Sequence, residues 1–230
     1  MKKTTFVAFL LLLLSNLASA TNITPEINNI ESQWAHIYYA KSITEQNSGY
    51  IELLAKTEKL AKKHPHSVEL MIWKAIIIST NAAFETPFTA LESIDKAKSL
   101  LEVSIKKDPN ALDGAAFVTL GTLYYLTPGW PISYGDFNMA EQLLKKGLTI
   151  NPDSIDANYF YADYLLSKDK ITEASKYLKL AIKAPIRTEQ LYADTQLKNE
   201  ALIALKKTKQ RKLNSGKNKF LSLFYSANSN

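Results

Sequence analysis

The feature that most constrains this chain is a spacing of small and large apolar residues that occurs three times. In each copy, leucine follows a small residue by four positions and precedes another small residue by three. The copies are Ala97, Leu101 and Ser104; Ala140, Leu144 and Gly147; and Ala174, Leu178 and Ala181. Residues three and four positions apart share one face of an α-helix. Small residues on that face let a second helix approach closely, so the spacing predicts tightly packed helices.

A second pattern supplies the companion helices. Its two copies place a large residue and then a small one between two further side chains at helical spacing. They are Phe117, Leu120, Gly121 and Tyr124, and Asn158, Tyr161, Ala162 and Leu165. Together the two patterns resemble the tetratricopeptide repeat (TPR) family, whose unit is a pair of antiparallel helices of about 34 residues. The resemblance implies an all-α fold in which antiparallel helix-pair repeats form a short TPR-like α-solenoid.

Prolines mark the length of each repeat. The interval from Pro152 to Pro185 is 33 residues, whereas the two preceding intervals, which start at Pro65 and Pro109, are 44 and 43 residues. We predict that the additional residues form loops between the two helices of a pair. A plain helical bundle is the alternative fold that the same periodicity allows.

The periodicity and the helix-breaking residues together predict nine helices. These cover about residues 26–46, 49–64, 66–83, 89–107, 110–126, 136–149, 153–168, 170–184 and 188–209. Pro25, Pro109 and Pro152 each follow a residue with a capping side chain, which predicts that each proline lies in the first turn of a helix. Pro185 predicts that a helix ends near Ala184.

The N-terminus has the pattern of a secretory signal peptide. Lys2 and Lys3 precede an apolar stretch at residues 6–14, and Ala18-Ser19-Ala20 supplies a small-x-small cleavage pattern. The apolar stretch is shorter than the roughly 18–20 residues that span a bilayer, so an uncleaved anchor is the less favoured alternative. The short basic start is typical of bacteria. We therefore predict cleavage after Ala20 and a periplasmic or secreted protein. The chain has no cysteine, which excludes a lipoprotein.

Charge divides the chain into regions. Residues 21–205 contain 19 Lys and Arg and all 22 Asp and Glu, whereas seven cations and no acid lie between residues 206 and 219. The formal charge of +6 thus reflects the ends of the chain and does not indicate a nucleic-acid-binding protein. The predicted organisation is a signal peptide at 1–20, an N-terminal helix packing on the repeats at 21–48, a TPR-like repeat domain at 49–205, and a basic, partly disordered tail at 206–230.

Candidate binding residues lie on the predicted concave face. Solenoids bind partners through such faces, and the repeat pattern places Thr122, Tyr125, Tyr159 and Asp163 there. A groove of tyrosine and aspartate suits an extended peptide, a basic segment or a small apolar ligand. The alternative is that Tyr125 and Tyr159 pack between neighbouring repeats. The Lys and Asn residues with which some TPR domains hold a peptide carboxylate are missing from these positions, so we exclude that activity.

A proline- and glycine-rich loop is the strongest local signal. Residues 126–136 read Leu-Thr-Pro-Gly-Trp-Pro-Ile-Ser-Tyr-Gly-Asp and contain two turn dipeptides. We expect Asp136 to cap the following helix. An indole in a loop favours packing of Trp130 against the repeat, with a ligand contact as the alternative, and we include Trp130 and Tyr134 among the candidate binding residues. The loop and the helix pair after it also resemble the periplasmic TPR-like T components linked to TRAP transporters.

Catalytic and metal sites have little support in the sequence. There is no cysteine, only three histidines, no G-x-S-x-G motif and no phosphate-binding loop. We predict no catalytic residue, no metal site and no cofactor.

The sequence therefore predicts an exported, non-enzymatic TPR-like scaffold that binds a protein or peptide. One alternative, implied by the T-component resemblance, is a transport accessory that binds a small organic ligand beside transporter subunits. A second is a peripheral membrane-associated envelope protein whose basic tail makes weak contact with an anionic surface. No nucleic-acid partner is expected.

Overall fold

The computed structural model describes residues 22–209, so the predicted signal peptide and residues 210–230 of the predicted tail lie outside the described residues. Within 22–209 the chain forms nine α-helices. These are α1 Thr24–Ala40, α2 Ile43–Lys63, α3 Val68–Asn81, α4 Pro87–Lys107, α5 Ala115–Leu126, α6 Phe137–Ile150, α7 Ile155–Ser167, α8 Ile171–Lys183 and α9 Leu191–Lys209. Short 3₁₀ turns at Ala82–Phe84, Ala111–Gly114 and Thr188–Gln190 precede α4, α5 and α9.

Consecutive helices run antiparallel. The Tyr164 hydroxyl near the end of α7 donates to Glu141 Oε2 near the start of α6 at 3.2 Å. The hydroxyl oxygens of Ser175, early in α8, and Thr208, late in α9, are 3.4 Å apart. The odd-numbered helices are thus the first helices of successive pairs and the even-numbered ones the second helices. The predicted all-α, TPR-like solenoid is confirmed.

The helices of a pair meet where the small residues lie. Gly121 on α5 packs under α6, and a Cβ atom at this position would lie 2.8 Å from Leu144 Cγ and 3.1 Å from its backbone nitrogen. Gly147 on α6 returns the contact, since a Cβ there would lie 2.6 Å from Val118 Cγ2. Leu144 is fully buried. The small–leucine–small spacing therefore sets the separation of the two helices.

The first helix is shorter than the sequence predicts. The prediction joined residues 26–46, but α1 ends at Ala40 and α2 begins at Ile43. Ser42 caps α2, and its backbone N–H donates to Glu45 Oε2 at 3.1 Å, which completes a capping box. This local signal outweighs the continuous helical periodicity. The predicted domain boundary after residue 48 consequently lies within α2.

Two of the three predicted proline-initiated helices begin elsewhere. Pro25 lies in the first turn of α1 as predicted. Asp108 and Asn151, by contrast, end α4 and α6. The helix after Pro152 begins at Ile155, capped by Ser154, whose Oγ accepts from the backbone N–H of Ala157 at 3.1 Å. Asp108-Pro109 and Asn151-Pro152 end the preceding helices because a proline disfavours helical backbone angles in the residue before it. Pro185 ends α8 as predicted.

None of the helices within residues 22–209 combines the length and the apolar character needed to cross a bilayer.

We expect Gly121→Val to destabilise the fold by about 1–3 kcal/mol, because the new side chain must displace the backbone of α6. Urea unfolding followed by circular dichroism measures the effect. Gln142→Val, an exposed β-branched substitution on α6, is the control for helix propensity. Equal unfolding midpoints for the two variants would show that the α5–α6 contact is not tight.

Candidate functional site

The predicted inner-face residues form a buried polar contact between pairs. The Tyr125 hydroxyl on α5 donates to Asp163 Oδ2 on α7 at 2.6 Å, and both side chains are buried. Thr122, also buried, donates its hydroxyl to the Val118 carbonyl oxygen at 2.8 Å. Burial first, and then Asp163, raise the pKa of Tyr125, so the phenol stays protonated. The Tyr125–Asp163 hydrogen bond holds α5 against α7, the Thr122 hydrogen bond lies within α5, and none of the three side chains faces an open groove.

Tyr159 lies beside this contact and is half-buried. Its hydroxyl donates to Glu200 Oε2 on α9 at 3.2 Å. Its ring meets Phe160 edge-on, with centroids 5.3 Å apart. Tyr159 therefore connects α7 and α9, in agreement with the alternative that it packs between neighbouring repeats.

Helix α1 contacts first helices at both ends of the described repeat array. Its Trp34 ring stacks on Tyr38, with centroids 5.1 Å apart, and Trp34 Nε1 donates to Thr80 Oγ1 on α3 at 3.2 Å. At the other end of the array, His36 stacks on Tyr192 of α9, with centroids 4.4 Å apart. The same helix thus contacts both α3 and α9, and the predicted inner-face residues Thr122, Tyr125 and Asp163 are buried.

Tyrosines from α1 complete this interior. Burial and then the nearby Glu200 carboxylate raise the pKa of both Tyr38 and Tyr39. Both phenols therefore stay protonated at neutral pH. The interior is consequently a structural joint between α1 and the repeats.

A cluster of charged side chains joins the middle of α1 to the α8–α9 connection and to α9. The Arg187 guanidinium, in the α8–α9 connection, contacts Glu31 Oε1 on α1 at 2.7 Å and Asp194 Oδ1 at 2.6 Å. The Arg187 backbone N–H also donates to Asp194 Oδ2, at 2.8 Å. Asp156 is the third acid near this one cation.

One guanidinium cannot neutralise three neighbouring carboxyl groups. Burial raises the pKa of Glu31 to about 7, Arg187 opposes the shift, and Asp156 adds to it. Burial likewise raises the pKa of Asp156. Glu31 makes a single contact with the guanidinium and is the weaker partner, since Asp194 binds the same arginine through both carboxylate oxygens. A proton on Glu31 therefore relieves the excess of negative charge.

The loop at residues 127–136 is held rigidly at its base. The backbone N–H of Gly135 donates to the Pro128 carbonyl and that of Asp136 to the Tyr124 carbonyl, both at 2.9 Å. A Cβ atom on Gly135 would lie 2.0 Å from the Thr127 carbonyl oxygen, so only glycine fits. Asp136 Oδ1 accepts from the first turn of α6, as predicted. The loop tip is thereby presented in a defined position.

The tip of this loop points into solvent. Trp130 is 90% exposed and Ile132 is 67% exposed, so the favoured prediction that Trp130 packs against the repeat is wrong. Tyr134 points the other way, with its ring 5.0 Å from Tyr124 and 5.1 Å from Lys98 Nζ. Tyr134, and not Trp130, therefore packs against the repeat.

Further apolar side chains line the same side of the molecule. Antiparallel pairing puts the starts of all second helices at one edge of the solenoid, which we call the loop edge. Phe88, in the first turn of α4, is 84% exposed, and Ile43 at the start of α2 is also exposed. The sequence prediction missed both residues. The signal that could have found Phe88 is its place in an extra segment between the helices of a pair, like Trp130.

The predicted sites thus separate into two surfaces. Tyr125, Thr122, Asp163 and Tyr159 lie between the first helices α5, α7 and α9, whereas Trp130 lies on the loop edge. Nothing in the described fold brings Trp130 and Tyr159 together. Among residues 22–209, no group of three or more His, Asp or Glu side chains is placed to hold a metal ion.

Comparison with known families agrees with this architecture. Residues 132–185, which include α6, α7 and α8, match the family model for the tetratricopeptide repeat. This segment is similar to the tetratricopeptide repeat, and the described fold as a whole is TPR-like. No curated protein matches the sequence. The match to a repeat that generally mediates protein–protein interaction supports a binding role, while the resemblance to TRAP-linked T components stays a prediction.

The pKa of Glu31 predicts a pH-dependent stability. Its folded value of about 7 lies above the ordinary value of 4.5, so the protonated side chain stabilises the fold fully below about pH 4.5. This contribution is lost as the pH rises through about 7, with a cost of at most about 3 kcal/mol. Glu31→Gln should flatten this slope in urea unfolding series, whereas Glu26→Gln, at an exposed position of α1, should not. Parallel slopes for wild type and Glu31→Gln would contradict the assignment.

Proposed function

We propose that this protein is an exported, non-catalytic scaffold that binds a protein partner through its loop edge. The observation that carries the proposal is the rigid loop at residues 127–136, which holds Trp130 almost fully in solvent just before the segment 132–185 that matches a TPR. TPR repeats generally mediate protein interactions. Because the predicted inner-face residues Thr122, Tyr125 and Asp163 are buried, we place the candidate binding surface on the outside of the solenoid.

The loop edge has the chemistry of an interaction surface. Trp130 and Ile132 protrude from one loop, and a large exposed aromatic side chain is costly in water unless a partner covers it. Tryptophan is the residue type most enriched at the energetic centres of protein interfaces. Burying its ~150–250 Å² in an interface is worth on the order of 4–6 kcal/mol before ordering costs.

The loop's construction favours affinity. Its backbone is closed by hydrogen bonds from Gly135 and Asp136, and Tyr134 anchors its inner side on Tyr124 and Lys98. A partner therefore meets a loop that needs little ordering on binding, which reduces the entropic cost of association. No part of this arrangement requires a nucleophile or a general base, in agreement with a non-catalytic role.

Site-specific photocrosslinking tests the proposed surface. Replacing Trp130 with p-benzoylphenylalanine should give a discrete adduct with a partner in intact cells. The same substitution at Leu191, which is exposed at the opposite edge, is the control and should give none. With the crosslinker moved to position 132, Trp130→Ala should reduce the adduct at least tenfold, because the anchor is gone. Indistinguishable adduct patterns from positions 130 and 191 would refute the loop edge as the binding surface.

Export is a separate part of the proposal and rests on the signal-peptide pattern of residues 1–20. We expect the mature protein to begin at Thr21, and intact-mass measurement of the protein from a cell-envelope fraction checks this. Ala18→Leu together with Ala20→Leu should block cleavage, since signal peptidase requires small residues at these positions. Recovery of unprocessed wild-type protein from the cytoplasm would refute export without affecting the proposed binding surface.

A further inference from the structure

The last described helix, α9, ends at Lys209, where the described residues also end. Each of α1, α3, α5 and α7 is followed by a second helix that packs antiparallel against it. Helix α9 exposes Leu202 and Ile203, at 40% and 52%.

An open groove lies between α8 and α9 at this end of the solenoid. It has a volume of about 520 Å³. Lysine side chains at positions 176, 179 and 183 line it, together with the apolar Ile171 and Leu180. No acid is among its lining residues. The groove therefore combines an apolar component with a single sign of charge.

The charge of this end differs from that of the rest of the solenoid. Residues 22–167 contain 12 Lys and Arg against 17 Asp and Glu, whereas residues 168–209 contain 10 against 5. Two of these five acids are engaged internally, since Asp194 binds Arg187 and Glu200 accepts from Tyr159. The excess of cations is consequently concentrated at the α8–α9 end.

We propose that the groove between α8 and α9 binds an acidic amphipathic helix from a partner protein. Acidic side chains on this helix would face the three lysines, and apolar side chains would cover Ile171 and Leu180, which line the groove. This surface is separate from Trp130, so failure of one proposal leaves the other standing.

Two other occupants fit the surface less well. The chain's own residues 210–219 carry four cations and no acid, so their charge has the same sign as that of the lysines in the groove. A lipid bilayer is planar on this scale and cannot enter a concave groove between two helices. An acidic helix satisfies both the shape and the charge.

The packing inside the solenoid indicates what such a helix needs. Three of the four described second helices, α4, α6 and α8, carry a small residue, a leucine four positions later and a small residue three positions after that. A docked helix should reproduce this spacing. Its acids should recur at three- and four-residue intervals, because the lysines at 176, 179 and 183 recur in this way along α8.

A synthetic peptide makes the test independent of any natural partner. A fluorescently labelled, stapled 14-residue helix keeps the residues of α6 that correspond to Ala140, Leu144 and Gly147 and carries glutamate at the exposed positions. A second peptide carries lysine there, and a third replaces the central leucine with lysine. Fluorescence anisotropy with the whole protein should show at least tenfold tighter binding of the first peptide than of either other.

Charge reversal locates the site. Lys176→Glu, Lys179→Glu and Lys183→Glu combined should weaken binding of the acidic peptide about tenfold or more, since each exposed charge pair contributes a factor of roughly two to three. Lys59→Glu, Lys62→Glu and Lys63→Glu combined make the same charge change at exposed positions of another second helix, α2, and should leave binding within about twofold, with only long-range screening effects. Matching unfolding midpoints for the two triple variants show that the α8 variant is folded.

Several outcomes would overturn the proposal. Equal binding of the acidic and basic peptides would remove the role of charge. Equal weakening by the α2 and α8 variants would mean that net charge, not the groove, attracts the peptide. Binding to anionic phosphatidylglycerol vesicles that is abolished by the α8 variant, with no binding of the acidic peptide, would assign the surface to a membrane instead.

Discussion

The structure depends on the close approach of paired helices where one presents a small residue and the other a leucine. Leu144 lies over Gly121, and Gly147 lies over Val118, so the contact is reciprocal and leaves no room for a Cβ atom. Because van der Waals attraction falls steeply with separation, this spacing determines how much apolar surface each pair buries. Repeating the contact along the chain stacks the pairs and places their connections at two opposite edges. The exposed loop at 127–136 and the basic groove at α8–α9 both follow from this arrangement.

Docking of α1 changes what the stacked pairs can do. An uncovered inner face would display Tyr159 and the Tyr125–Asp163 contact to a ligand. Instead α1 contacts Thr80 of α3 and Tyr192 of α9, and its Glu31 binds Arg187, which is 156 positions away in the sequence. The excess of carboxyl groups around one guanidinium makes this joint sensitive to protonation. The surfaces left for partners are consequently the loop edge and the open end, which differ in character: the first is aromatic and the second is cationic.

The candidate site was predicted in part, and the reason differs between residues. Asp136 could be identified as a helix cap because capping depends on neighbours two or three positions away. The loop at 127–136 could be found from its turn residues. The orientation of Trp130 could not, because it depends on whether Trp130 or Tyr134 fills the space beside Tyr124, and both are aromatic residues of one short loop. Phe88 was missed because its exposure depends on tertiary packing, and the end of α1 at Ala40 was missed because helical periodicity continues across the capping signal at Ser42.

The sequence by itself determined the helical class, the pairing and the repeat. Buried residues of a helix recur every three to four positions, and the small–leucine–small spacing lies within a single helix, so both patterns are visible in the sequence. It also showed that cations are concentrated toward the C-terminal end. Only the tertiary structure decided that α1 contacts both α3 and α9, that Trp130 faces solvent and that three lysines of α8 line a groove beside α9. These outcomes depend on contacts between residues far apart in the chain, and side chains of the same type suit both the buried and the exposed position.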